Sequence, residues 1–184
     1  MVKNKTGSNR KWKLAQQAST TCRQGIKVAI KKAKKENKGV NSKFLESTLN
    51  CYPSFIGCYA EDELTNLRFT TPCFLIVNVD LSNMKGSHWL ALGIFEDTIE
   101  IFDPLGFEIF NWSRIPSHLL NFLHRLSVTR SVLLGKKVQP NTSTLCGFYC
   151  LYYFFLRKYF SFKQIQNYEI NDKILINFFN VYLF

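Results

Sequence analysis

Apolar residues recur along this chain with a period that changes several times, and each change predicts an element. CFLIVNVD (residues 73–80) is a short, nearly continuous apolar run and reads as a buried strand. HWLALGIF and TIEIFD follow, joined through Glu96 and Asp97, and read as a hairpin that Pro104 and Gly106 end. In IPSHLLNFLHRL the apolar positions Ile115, Leu119, Leu120, Leu123 and Leu126 recur at helical spacing, with Pro116 near the start. SVLLGKKVQ reads as a further strand. The apolar and aromatic run from Cys146 to Tyr159 is long enough for a buried helix, with Asn141, Thr142, Ser143 and Thr144 as candidate N-cap side chains. LESTLN predicts a short helix before a loop through Pro53 and Gly57, and KILINFFNVYLF closes the chain as a helix or a strand that periodicity does not separate. No internal repeat is present. The elements together predict an α+β fold, a central mixed sheet flanked by helices.

Composition agrees with one compact core. The 184 residues are 46% apolar and 15% aromatic, which suits a single domain. No uninterrupted apolar stretch of about 18 residues is present, so a spanning helix is not expected, and the N-terminal region lacks the apolar segment of a signal peptide. Six cysteines without secretory cues fit a reducing intracellular compartment and free thiols.

Charge divides the chain in two. Residues 1–40 hold 12 of the 24 Lys and Arg and a single acid, Glu36, whereas the remainder is balanced. The expectation is a basic, flexible N-terminal tail over 1–40 and a folded domain over 41–184. Such a tail fits nucleic acid or a nuclear-import signal, and CRQGIKVAIKKAKKENKG can become a short basic helix when bound. A membrane-surface role is weaker, because its apolar face is thin.

Four residues carry candidate chemistry. In a hairpin the start of the first strand lies beside the end of the second, so His88 and Asp103 are expected as neighbours. The carboxylate would then orient the imidazole. Cys146 falls at a predicted helix head, where free N–H groups and partial positive charge favour a thiolate. Gly147 is expected to allow close approach of a substrate backbone, and Cys150 reads as a small buried hydrophobe. Gln139, seven residues before Cys146 and followed by Pro140, places a neutral amide donor on a turn near the thiol. His118 and His124 read as surface residues of their helix, and their spacing, like that of Cys146 and Cys150, does not suit structural zinc.

The blocks GSHWLALG, IEIFDPLGF and VQPNTSTLCGFYC, in that order, resemble the adenovirus protease (adenain) family. That family sits in the wider clan of the SUMO-deconjugating Ulp/SENP proteases. YPSFIGCYAEDEL is similar to the segment preceding the family's active-site strands, and the resemblance covers roughly residues 48–160. It implies His88 as base, Asp103 as orienting acid, Gln139 as oxyanion donor and Cys146 as nucleophile of a cysteine endopeptidase. It implies viral precursor proteins as substrates, cut near Gly-Gly-type sites, with DNA as a possible activator, no metal, and a virion or host-nuclear setting for a monomeric enzyme. Two departures stand out. Asp103 replaces the Glu usual in adenovirus enzymes and matches the Ulp/SENP branch. LSVTRSVLLGKK holds no cysteine for a disulfide-linked activating peptide. A deconjugating protease for a ubiquitin-like protein, and a nucleic-acid-binding protein on an inactive protease fold, are the other readings.

Overall fold

The computed structural model describes residues 20–36, 38–50, 52, 54–106 and 115–181. Five strands form one mixed sheet in the order β1 (Phe55–Ala60), β2 (Cys73–Asn78), β3 (Trp89–Ile94), β4 (Thr98–Phe102), β5 (Ser131–Leu134). The outer pairs, β1 with β2 and β4 with β5, are parallel, and the inner pairs are antiparallel. The α+β architecture of a central sheet flanked by helices is therefore the one the apolar pattern predicts.

Both faces of the sheet are covered, which is why β2 and β3 read as continuous apolar runs instead of alternating ones. Leu75, Val77, Leu90, Leu92, Ile99 and Ile101 point to one side. There they meet Leu119, Phe122, Leu123 and Leu126 of α3 (Ser117–Ser127). Ile76, Ala91 and Phe102 point to the other side, into a larger core built on α4 (Cys146–Arg157). Every residue of α4 from Cys146 to Leu156 is buried, as expected of a helix that is apolar all round. The helix α3 has no side-chain cap of its own. The buried Glu61, on the 3-10 turn Glu61–Leu64, takes that role: its Oε2 accepts from the backbone N–H of His118 at 3.1 Å and of Leu119 at 3.4 Å.

The structure corrects two expectations about the N-terminal third. The first is the boundary at residue 40. Residues Thr20–Glu36 form a helix, α1, whose Ile26, Ile30 and Ala33 are 1%, 1% and 4% exposed. Spaced four and three residues apart, they form one stripe that packs into the core with Leu175, Phe178 and Phe179 of α6 (Asp172–Val181). The few apolar residues of this basic segment are enough to dock it on a partner already folded in the same chain. The part of the expected tail over 1–19 lies outside the described residues.

The second correction concerns Gly57. It sits inside β1 and not in a loop, with φ +132° at the point where the β1–β2 register shifts between Phe55 and Cys58. A glycine at a bulge imitates a loop signal in sequence. As far as Val181 the ambiguous C-terminal run is helix: Leu175, Phe178 and Phe179 line one face of α6, and residues 182–184 lie outside the described residues. The remaining elements are α2 (Ser42–Leu49), capped by Asn41 Oδ1 on the N–H of Phe44, and α5 (Phe162–Gln166).

Candidate active site

His88 immediately precedes β3 and Asp103 immediately follows β4, so the antiparallel pairing of these strands brings them together. His88 Nε2 lies 2.7 Å from Asp103 Oδ1. The same carboxylate oxygen accepts the backbone N–H of Leu105 at 2.9 Å, so the turn after β4 holds the acid in place. The His88 carbonyl in turn accepts the N–H of Val79 at 3.1 Å, which fixes the backbone of the histidine.

The imidazole also stands beside Cys146, which lines the same groove and helps to raise its pKa. Since Nε2 is engaged by Asp103, Nδ1 is the ring nitrogen left to face the sulfur. Burial pulls the His88 pKa down, but the hydrogen bonds to Asp103 and Cys146, together with their charges, outweigh it and push the value up to about 9. At neutral pH this imidazole therefore carries its proton next to the sulfur.

Cys146 is the first residue of α4 and is 5% exposed. The expected side-chain N-cap is not made. Leu145 is the N-cap and has no capping side chain, while Ser143 Oγ accepts only the N–H of Leu145, at 3.2 Å. The N–H groups of Phe148 and Tyr149 fold back on the Leu145 carbonyl, and among the described residues that of Cys146 has no acceptor. It is left free at the positive end of the helix, where a developing anion would find it.

Gln139 is 3% exposed and joins the same wall. Its backbone N–H donates to the Pro104 carbonyl at 2.8 Å and its side-chain Nε2 to the Ser143 carbonyl at 2.7 Å. That second contact settles the orientation of the amide, because the flipped form would set two oxygens against each other. An amide nitrogen has two hydrogens, so one remains beyond the bond to Ser143. Gln139 Oε1 is buried and has no partner among the described residues. All four sequence-derived residues thus meet. Gln139, His88 and Cys146 line a groove of about 740 Å³, bounded further by Tyr59, Asn78 and Met84.

Sequence reasoning missed the support around these four. Trp89 Nε1 donates to the Val40 carbonyl at 2.9 Å, tying the segment after α1 to the strand that follows the histidine. A Cβ on Gly147 would stand 2.5 Å from Val40 Cγ2 and 3.4 Å from Trp89 Cδ1. Gly147 therefore makes room for the chain's own Val40, not for a substrate backbone as expected. The indole stands beside His88 in the sequence, but its acceptor is 49 positions away and carries no local signal. Nor does anything in the sequence mark Asp172, whose Oδ1 accepts from Ser143 Oγ at 3.0 Å and from Tyr149 Oη at 2.8 Å.

Cys150 is fully buried, 3.5 Å from the Trp89 carbonyl, and burial raises its thiol pKa well above the usual range. That is the inert hydrophobe expected. Cys58, Cys73, Cys146 and Cys150 are free thiols. His124 is exposed, while His118 is half-buried with Nδ1 3.3 Å from Thr65 Oγ1. Among the described residues no cluster of His, Cys, Asp and Glu could hold a metal, and no helix is long and apolar enough to cross a membrane.

Comparison with known proteins agrees with this geometry. No curated protein matches the chain. Among solved structures, the crystal structure of the ASFV pS273R protease is similar in fold, with a TM-score of 0.53 at 17% identity, over 78% of this chain and 64% of that one. The chain thus spans about 64% of the length of that protease. A selenomethionine crystal structure of the same protease aligns over 87% of this chain and 66% of that one at 18% identity, with a TM-score of 0.39. The family model of the adenovirus endoprotease matches residues 55–180, well over half of the sequence and inclusive of all four residues. With His88, Gln139 and Cys146 on one groove, Asp103 paired to His88 behind it, and that model spanning the sheet and the helix behind it, the chain belongs to the adenovirus endoprotease family.

Proposed function

We propose that the chain is a cysteine endopeptidase in which Cys146 is the nucleophile, His88 the acid and base, Asp103 the orienting acid and Gln139 an oxyanion donor. The observation that carries this reading is the imidazole paired with Asp103 at 2.7 Å on the groove that Cys146, at a helix head, also lines. His88 takes the Cys146 proton, and the thiolate attacks the scissile carbonyl carbon. The carbonyl oxygen takes the electron pair and is held by the Cys146 N–H and the Gln139 amide. As the carbonyl reforms, the C–N bond breaks and His88 protonates the leaving amine. His88 then deprotonates a water that hydrolyses the acyl-enzyme. Asp103 accepts Nε2–H throughout and keeps Nδ1 on the sulfur. No metal takes part.

Cys146→Ala tests this reading. The variant should keep its circular dichroism spectrum and lose cleavage and labelling by a thiol-reactive peptide probe, whereas Cys150→Ala keeps most activity. Retained turnover in folded Cys146→Ala removes the cysteine from the mechanism.

By resemblance the substrates are viral precursor proteins cut near Gly-Gly-type sites during particle maturation, in the virion or the host nucleus, by a monomer that the basic N-terminal region brings to DNA. Asp103, the Ulp/SENP-type acid in place of Glu, favours a second reading: a deconjugating protease acting at the Gly-Gly end of a ubiquitin-like protein. Cleavage of a ubiquitin-like fusion compared with capsid-type peptides separates the two.

A further inference from the structure

The loop before the nucleophile helix forms a thin wall. Ser143 and Thr144 line the catalytic groove on one side and a second cavity of about 350 Å³ on the other, which Asp172, Lys34 and Lys173 also border. A loop with space behind it has little packing to hold its carbonyls in place, so its hydrogen bonds must do so. They form one chain. Gln139 Nε2 donates to the Ser143 carbonyl at 2.7 Å, Ser143 Oγ donates to Asp172 Oδ1 at 3.0 Å, and Tyr149 Oη donates to the same oxygen at 2.8 Å. Tyr149 is fully buried on the first turn of α4, and Asp172 opens α6. A single carboxylate oxygen thus joins the C-terminal helix, the nucleophile helix and the loop that orients the Gln139 amide.

We propose that Asp172 is a positioning residue for the oxyanion donor: through Ser143 it fixes the Gln139 amide and thereby sets the turnover rate without touching substrate. This rests on the protease reading above. Asp172 is not needed for the cap of α6, because Asn171 Oδ1 already accepts the N–H of Ile174 at 3.1 Å. The two contributions of this helix end are therefore separable by substitution.

In a full-length chain cleaving a peptide, Asp172→Ala should lower kcat at least tenfold and leave KM within about twofold. Asp172→Asn should restore most of the rate, since an amide oxygen accepts the same two hydroxyls. Ser143→Ala, which keeps the Ser143 carbonyl but cuts its link to Asp172, should behave like Asp172→Ala, and Asn171→Ala should cleave normally. Alkylation of Cys146 by iodoacetamide passes through no oxyanion and should be equal in all of these variants. The side-chain NH₂ resonances of Gln139, assigned by their loss in Gln139→Ala, should move in Asp172→Ala and Ser143→Ala and stay in place in Asp172→Asn. That last readout holds even in a chain that cleaves nothing, so failure of the protease reading and failure of this one are distinguishable. Unmoved Gln139 resonances in Asp172→Ala, a wild-type kcat in that variant, or a parallel fall in alkylation would each overturn the proposal.

Discussion

The backbone N–H of Gln139 donates to the carbonyl of Pro104 at 2.8 Å, which makes the residue after the acid the anchor of the oxyanion donor. Val138 shares that acceptor at 2.9 Å, and Gly135 N–H extends the β4–β5 pairing to Ile101 at 2.7 Å. The strand that delivers Asp103 thus sets the height of Gln139 over the groove. Gln139→Ala should therefore remove one donor without disturbing the acid. The expected cost is about 2–4 kcal/mol of transition-state stabilisation, read as a lower kcat at nearly constant KM. A rise in KM alone would make Gln139 a substrate contact instead.

The raised His88 pKa, about 9, gives a pH dependence with a definite sign. The folded value lies above the ordinary histidine value of 6.5, so the protonated ring is favoured in the folded state. Its contribution to stability is complete below about pH 6.5, on the order of 3 kcal/mol, and is lost as pH rises through about 9. Activity that uses the imidazolium as proton donor should fall across the same alkaline range. Asp103→Ala removes the hydrogen bond and the charge that raise the value, so its alkaline limb should move to lower pH while some turnover remains. An unchanged limb in Asp103→Ala would detach that limb from His88.

The last residue of the nucleophile helix is also clamped to the middle of the strand leading to Asp103. Arg157 forms a two-pronged pair with Glu100 of β4, Nε to Oε2 at 2.8 Å and Nη2 to Oε1 at 2.9 Å, and Tyr153 Oη adds a third donor at 2.7 Å. Glu100 is 3% exposed, so removing its cationic partner strands a charge in the core. Arg157→Ala should cost about 3–5 kcal/mol in urea unfolding, and the double change Glu100→Leu with Arg157→Met should cost clearly less. A larger loss in the double variant would mean that shape, not charge, holds this corner.

What is legible in the sequence follows from range. His88 and Asp103 are joined by a short hairpin, so local patterning is enough to pair them. Cys146 is marked by the apolar run that it opens, and Gln139 by its place in a familiar block of residues. The Trp89–Val40 bond, the Glu100–Arg157 pair and the Asp172 tether span dozens of residues, and only the closed fold shows them. Two local signals mislead. Gly57 reads as a loop because a bulge uses the same residue, and the density of lysines in α1 masks a three-residue apolar stripe.

That stripe changes what the basic region can do. With Ile26, Ile30 and Ala33 turned inward, Lys31, Lys32 and Lys35 are exposed on a docked helix instead of a loose tail. If this region binds DNA, part of the binding surface is fixed to the catalytic domain. Each phosphate no longer neutralised should flatten the dependence of log affinity on log salt by about 0.9 on duplex DNA. Lys31→Glu, Lys32→Glu and Lys35→Glu together should therefore reduce the slope by up to about 2.7 and leave cleavage of a small peptide nearly unchanged. Ile30→Asp should act differently. It buries a charge against α6, so it should lower thermal stability and, by loosening the segment that carries Val40 to Trp89, lower peptide cleavage as well. Salt titrations by fluorescence anisotropy, set beside peptide kinetics and melting curves, separate the two effects. A triple variant with the wild-type slope would place any DNA-binding surface elsewhere on the chain, and an Ile30→Asp chain with wild-type melting would deny α1 its place in the core.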